Sequence, residues 1–167
     1  TGKTVVDVGT GAGFPGMPLR ILKDDFDLTL LDSLGKSVTW LQEVCDELQL
    51  KRVACVHARA EEFAMQHREQ FDIATSRAVA QLSILSELCL PLIKVGGQFI
   101  AMKSVDTEDE IDAAKSAIKT LGGHIVKVED YTIPTSDVVH RLLIVEKVSP
   151  TPRAYPRAFA KIKKAPL

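Results

Sequence analysis

The sequence predicts an α/β domain with a mostly parallel seven-stranded sheet, helices on both faces and an antiparallel pair at its C-terminal edge. Three observations carry this prediction. Short apolar runs alternate with stretches of helical periodicity from residue 4 to residue 121. A cluster of glycines follows the first apolar run at once. The last two alternating runs follow one another with no helical stretch between them.

Thr4-Val5-Val6-Asp7-Val8 is apolar on both alternating faces and stops at glycine, as a buried parallel strand does. Helical spacing follows through Met17, Leu19, Ile21 and Leu22. Leu28 to Asp32 is a second strand, and residues 36–49 put Val38, Leu41, Val44, Cys45 and Leu48 on one helical face, with Trp40 near it as a packing residue. Val53 to Val56 and Phe71 to Thr75 are the third and fourth strands, and Ala60-Glu61-Glu62-Phe63 between them reads as a loop entering a helical turn. A helix over 82–92 ends before the Gly96-Gly97 turn, and Gln98 to Met102 is the fifth strand. Residues 107–121 form a helix with Ile111, Ala114, Ala117, Ile118 and Leu121 inward, closed by Gly122-Gly123. Its acids Asp109, Glu110 and Asp112 read as a solvated face. His124 to Tyr131 and Arg141 to Lys147 complete the sheet. The sequence thus divides into a domain over 1–149 and a basic, Pro-rich tail over 150–167, expected to be extended, wrapped on the surface or mobile.

Composition excludes several classes. No run of about 18 apolar residues offers a membrane span, and no charged-then-apolar leader precedes the first strand. Structured sequence begins almost at Thr1, so a segment preceding it is expected. Cys45, Cys55 and Cys89 form no C-x-x-C pair and the four histidines are scattered, which fits three reduced thiols, no disulfide framework and no metal. The net charge of −1 conceals an asymmetry: Arg153, Arg157, Lys161, Lys163 and Lys164 fall in the tail with no acid, while all 22 Asp and Glu precede it. A basic tail on an acidic body is the pattern of a polyanion contact, or of a solvated terminus.

The most informative segment is Asp7-Val8-Gly9-Thr10-Gly11-Ala12-Gly13-Phe14-Pro15-Gly16. Glycines let the chain turn tightly off the strand and let a ligand approach the backbone. Gly11, Gly13 and Gly16 match the dinucleotide pattern G-x-G-x-x-G, but the strand ends at Val8, so Gly9, Gly11 and Gly13 make the turn. Asp7 stands just before it. A carboxylate there gives a pyrophosphate nothing, whereas a ligand carrying an ammonium and a sulfonium gains from it. Asp32 ends the second strand about 20 residues on, where an acid accepts hydrogen bonds from ribose hydroxyls. The pair suits S-adenosyl-L-methionine and disfavours a nicotinamide dinucleotide.

Asp7 to Gly16, together with Leu31-Asp32-Ser33-Leu34-Gly35-Lys36, Arg59-Ala60-Glu61-Glu62, Ser76-Arg77-Ala78-Val79-Ala80, Met102-Lys103 and Pro150-Thr151-Pro152-Arg153-Ala154-Tyr155-Pro156-Arg157, resembles the glucose-inhibited division protein B family. These are bacterial 16S ribosomal RNA guanine-N7 methyltransferases. The resemblance covers essentially the whole chain. It implies a Rossmann-like class I methyltransferase fold, S-adenosyl-L-methionine as cofactor, and 16S ribosomal RNA or the small ribosomal subunit as partner. It further implies a cytoplasmic enzyme, taken as a monomer. By position, Gly9 and Phe14 line the cofactor site with Asp7, Gly11, Gly13 and Ser33 around them. Asp32 holds the ribose, Ala60 and Glu61 flank the adenine, and Arg77 contacts cofactor and substrate. The sequence departs from the family in three places: the helical N-terminal segment is absent, Ser37 follows Lys36 where a second basic residue is common, and Ala158 to Lys164 replaces a Gly-Thr-Pro turn.

Guanine N7 offers an in-plane lone pair and carries no proton, so its methylation needs no general base. No Cys/His or Ser/His/Asp arrangement stands out, in keeping with catalysis by alignment of the reacting atoms. Arg77 and Lys103, at the ends of strands four and five, are the candidate catalytic cations; a structural ion pair and a solvated edge lysine are their plain alternatives. Lys36, Arg153, Tyr155, Arg157, Lys161, Lys163 and Lys164 are the candidate RNA contacts, because cations interleaved with aromatics bind phosphates and stack on unpaired bases. Two other functions compete: the same fold acting on another acceptor, and a cofactor- and RNA-binding module without turnover.

Overall fold

The computed structural model describes residues 2–77 and 80–167. Among them, β1 (Lys3–Val8), β2 (Phe26–Asp32), β3 (Val53–His57), β4 (Phe71–Ser76), β5 (Ile93–Ser104), β6 (Gly123–Thr132) and β7 (Val139–Lys147) form one sheet. The order is β3-β2-β1-β4-β5-β7-β6. β1 to β5 pair in parallel, and β7 runs antiparallel to both β5 and β6. The helices are α1 (Gly16–Leu22), α2 (Gly35–Glu47), α3 (Ala60–Gln66), α4 (Leu82–Cys89), α5 (Glu108–Thr120) and α6 (Phe159–Lys164).

The chain winds outward from β1 to β2 and β3, then crosses back to add β4 on the other side of β1. That reversal opens a crevice at the C-terminal ends of β1 and β4, the place where open α/β sheets bind ligands. Ser76 closes it from below by donating its hydroxyl to the Val8 carbonyl at 2.9 Å. Each face of the sheet has its own core. Val6, Val8, Leu31 and Phe99 bury against α3, α4 and α5 with Leu85, Leu92 and Ile118. Val5, Leu28 and Leu30, the alternate positions, bury against Met17, Leu41 and Cys45. Burial on both faces is why β1 and β2 read as largely apolar runs; each buried apolar side chain contributes roughly 1.5–3 kcal/mol.

Several expectations need correction. The loop at 60–63 is a complete short helix, α3. The helix over 82–92 ends at Cys89 and continues as a 3-10 turn over Leu90–Leu92, with Pro91 inside it. The Gly96-Gly97 turn is no boundary, because β5 already starts at Ile93 and runs through it. Gly96 takes φ +87, and a Cβ on Gly97 would lie 2.5 Å from the Asp72 carbonyl oxygen. The glycines therefore serve a register shift between β4 and β5. Trp40 is 48% exposed rather than packed. Glu110 does not face solvent with its neighbours: it pairs with Lys103 at 2.7 Å and accepts the Leu82 amide. The cysteines are free thiols as expected, with Cys45 and Cys55 in a 4.0 Å sulfur–sulfur hydrogen bond.

Of the three expectations for the tail, extended, wrapped or mobile, the structure takes the wrapped one. The tail is a fixed strap that ends in α6, with Ile162 fully buried. Arg68 donates to the carbonyls of Thr151, Pro152 and Tyr155. Thr151 donates its amide to Glu69 and its hydroxyl to the Leu121 carbonyl. Glu87, fully buried on the apolar helix α4, receives the Arg157 amide at 2.9 Å and its guanidinium at 2.8 and 2.6 Å. No helix among the described residues is long and apolar enough to cross a membrane.

Candidate active site

The glycine loop is held from beneath by Asp7. Its Oδ2 accepts the Thr10 hydroxyl at 2.7 Å and the Gly16 amide at 2.9 Å, tying the start of α1 to the end of β1. Its Oδ1 is buried with no hydrogen-bond partner. Burial raises the Asp7 carboxyl above its ordinary value, against the opposing pull of those two donors and of Arg77. Gly9, Gly11 and Gly13 all have positive φ. A Cβ on Gly13 would collide with Met17 and Leu41, while one on Gly9 or Gly11 would enter open space. The loop thus leans on the core at one glycine and faces a void at the other two.

Asp32, at the end of β2, spans the crevice. Its Oδ2 accepts the Gly11 amide at 2.8 Å and its Oδ1 the Leu34 amide at 2.9 Å, so it fixes both the loop and the entry to α2. Beside it lies a cavity of about 200 Å³, with Gly9, Asp32, Ser33, Ala60 and Glu61 on its walls. Arg59 and Phe159 also line it. Arg59 pairs with Glu61 at 2.6 Å, and its guanidinium lies 4.5 Å over the Phe159 ring.

On the other side of the loop, Arg77 follows the end of β4 with its guanidinium 5.3 Å over the Phe14 ring. It opens a second, polar cleft of about 600 Å³ that includes Lys103, Asp106, Tyr131 and His140. Lys103 is no solvated edge residue: its side chain is nearly buried, paired with Glu110 and donating to the Ala80 carbonyl at 2.8 Å. Ala78 and Val79 of the Ser76–Ala80 segment lie outside the described residues. Among the RNA candidates, Lys36, Arg153, Lys161, Lys163 and Lys164 are exposed. Tyr155 packs against the core, and Arg157 is committed to Glu87.

Residues 1–139 match the model of the GidB family, described as rRNA small subunit methyltransferase G. The chain belongs to that family. It is 51% identical over 167 residues to "Ribosomal RNA small subunit methyltransferase G" of Clostridium botulinum (strain ATCC 19397 / Type A), covering 99% of this chain and 70% of the relative. The relative of the same name in Clostridium perfringens (strain SM101 / Type A) is 48% identical, with the same coverage. Among solved structures, M. jannaschii TYW2 in complex with AdoMet superposes with a TM-score of 0.70 at 15% identity, covering 88% of this chain and 70% of that one. An rRNA methylase from Streptococcus thermophilus gives 0.62 at 16%, covering 89% and 88%. Likeness at such low identity concerns the fold, which is the Rossmann-like class I methyltransferase fold.

A member of the rRNA small subunit methyltransferase G family uses S-adenosyl-L-methionine, and the residues present fit it. An unpartnered buried carboxylate oxygen at Asp7, open backbone at Gly9 and Gly11, and a second acid at the end of β2 match a ligand with a cationic end and a ribose. Two contributors escaped the sequence reading. Arg59 was visible only as part of a motif, and Phe159, an aromatic among the tail cations, pointed to RNA stacking rather than to this cavity. Glu87 did carry one: an acid inside Leu82–Cys89, otherwise apolar or small, demands a buried partner.

Proposed function

We propose that this chain transfers a methyl group from S-adenosyl-L-methionine to N7 of a guanine in 16S ribosomal RNA. The observation that supports this best is a cavity bordered by the glycine loop at Gly9 and a polar cleft that begins at Arg77, packed on Phe14 of the same loop. The cavity carries Asp32, Ser33, Ala60 and Glu61. A donor held in the first and a base entering the second would meet across Gly9 to Phe14. When bound, the cofactor supplies an electrophilic methyl group.

The chain's residues then divide the remaining tasks. Asp32 and Ser33 hold the ribose, and Ala60 and Glu61 flank the adenine. Asp7 keeps the loop in shape and presents Oδ1 toward positive charge. Arg77, its guanidinium over the Phe14 ring at the edge of the second cleft, faces guanine O6 or a phosphate. Lys103 acts by position, fixing the segment after β4 through Ala80 and the start of α5 through Glu110. No proton leaves N7 during attack, so no base is needed, and alignment at about 3–3.5 Å supplies most of the acceleration. Lys36, Arg153, Lys161, Lys163 and Lys164 contact RNA phosphates. The enzyme works in the cytoplasm as a monomer without a metal.

The test is methylation of small ribosomal subunits lacking the modification, with labelled methyl donor and strand scission specific for N7-methylguanine. Labelled RNA with one new scission site is expected. Label that resists scission would refute the N7 assignment, and label only on another acceptor would refute the substrate. Activity that disappears on chelation would refute the metal-free reading, and a dimer on light scattering the monomer.

A further inference from the structure

We infer that Phe159, delivered by the C-terminal strap, forms a wall of the adenine half of the cofactor site; this rests on the reading of the Asp32–Glu61 cavity as that site. Among the described residues lining the cavity, Phe159 carries the one aromatic ring. The ring stands at the first position of α6 and belongs to neither apolar core cluster. Ile162, three residues on, is the one that anchors α6, with no exposure left. At i and i+3 the two side chains flank one face of the helix. Seating Ile162 in the core therefore leaves Phe159 at the cavity.

The surroundings match a purine. Val8, Leu31, Ala60 and Leu88 supply apolar walls, while Asp32 and Glu61 stand at the rim. An adenine has apolar faces and a polar edge, so it gains from a ring on one side and acceptors at its border. The ring is held in place rather than free. Arg59 covers it at 4.5 Å and is itself fixed by Glu61 at 2.6 Å. Upstream, the strap is fastened by Arg157 on Glu87 and by Arg68 on three carbonyls. The sequence reading assigned the tail to RNA. In the structure its anchored side faces the protein, and its exposed lysines, Lys161, Lys163 and Lys164, lie on the same short helix as Phe159. One segment thus contributes to the cofactor wall and the charged surface together.

The experiment is calorimetric titration of the wild-type chain and Phe159→Ala with S-adenosylhomocysteine and with adenosine. Both ligands should weaken by about tenfold in the variant, because the lost contact is to the base they share. Affinity for both ligands within twofold of wild type would overturn the inference and leave the cofactor site standing. Wild-type protein that binds neither ligand would overturn the site and the inference together. A variant that binds both ligands normally but loses affinity for RNA would return the tail to the RNA side. Should Phe159→Ala fail to fold, Phe159→Trp in a Trp40→Phe background replaces it. Its emission should shift with S-adenosylhomocysteine and saturate at the calorimetric Kd; a flat signal under saturating ligand overturns the inference.

Discussion

The glycine loop and the C-terminal strap border the same cavity but are built in opposite ways. The loop is held by neighbours: Asp7 binds Thr10 and Gly16, three and nine residues away, and Asp32 binds Gly11, 21 away. The strap is held by distant residues: Arg157 on Glu87, 70 away, Thr151 on Glu69, 82 away, and Tyr155 under Arg68, 87 away. Short-range polar contacts shape a binding surface without much stabilising the whole molecule. Long-range buried ones tie the chain's end to its core. Damage at the first should cost ligand, and damage at the second should cost stability.

The sharpest way to break this contrast is Arg157→Ala. It leaves the Glu87 carboxylate buried without its cation, and we expect a loss of about 3 kcal/mol in unfolding free energy by denaturant titration. A loss below 0.5 kcal/mol, the range for an exposed surface residue, would mean that the strap is not anchored as described. Asp32→Ala should do the reverse. Removing a charged acceptor of two amides at the cavity weakens S-adenosyl-L-methionine by about 30-fold or more, with a smaller change in stability than Arg157→Ala. Equal cofactor affinity in calorimetry would remove Asp32 from the site.

Two acids divide the response to pH. Partial burial works against ionised Asp72, but Lys94 and both donors of Thr4 outweigh it and hold its carboxyl well below the ordinary 3.8. Its contribution is full above that value and fades as pH falls toward the folded pKa. Burial raises Asp7, so its ionised form is disfavoured above the raised value, and that cost is relieved on acidification. Stability measured from pH 6 to pH 3 should therefore fall less steeply in Asp72→Asn and more steeply in Asp7→Asn. The same slope in all three proteins would contradict both assignments.

The smallest expected effect on stability is at Lys161, Lys163 and Lys164. Changing all three to Ala should move the unfolding free energy by roughly 0.5 kcal/mol or less. The plot of log affinity for RNA against log salt should flatten by about one for each phosphate contact removed. An unchanged salt slope would leave those lysines as solvent-facing charges.

The sequence made some of this architecture legible and concealed the rest for a physical reason. β1 and β2 were visible because central strands buried on both faces are largely apolar, β3 to β5 as short apolar runs, and α2 and α5 because a one-sided core imposes a helical period. The loop after Val8 was visible because positive φ at three alternate positions demands glycine there. α3 was missed for lack of length, and the start of β5 because glycines in a register shift resemble glycines in a turn.

By itself the sequence determined the layered α/β fold, the loop and its acidic partner across it, since each is set by residues close along the chain or by periodic burial. Tertiary structure alone decided that Arg157 meets Glu87 rather than RNA, that Lys103 meets Glu110 rather than solvent, and that Phe159 reaches the cavity beside Asp32. A charged side chain advertises its charge in the sequence but not its partner. Which opposite charge lies within 3 Å depends on how the whole chain closes, and that is settled only when the sheet, α4 and the strap are packed together.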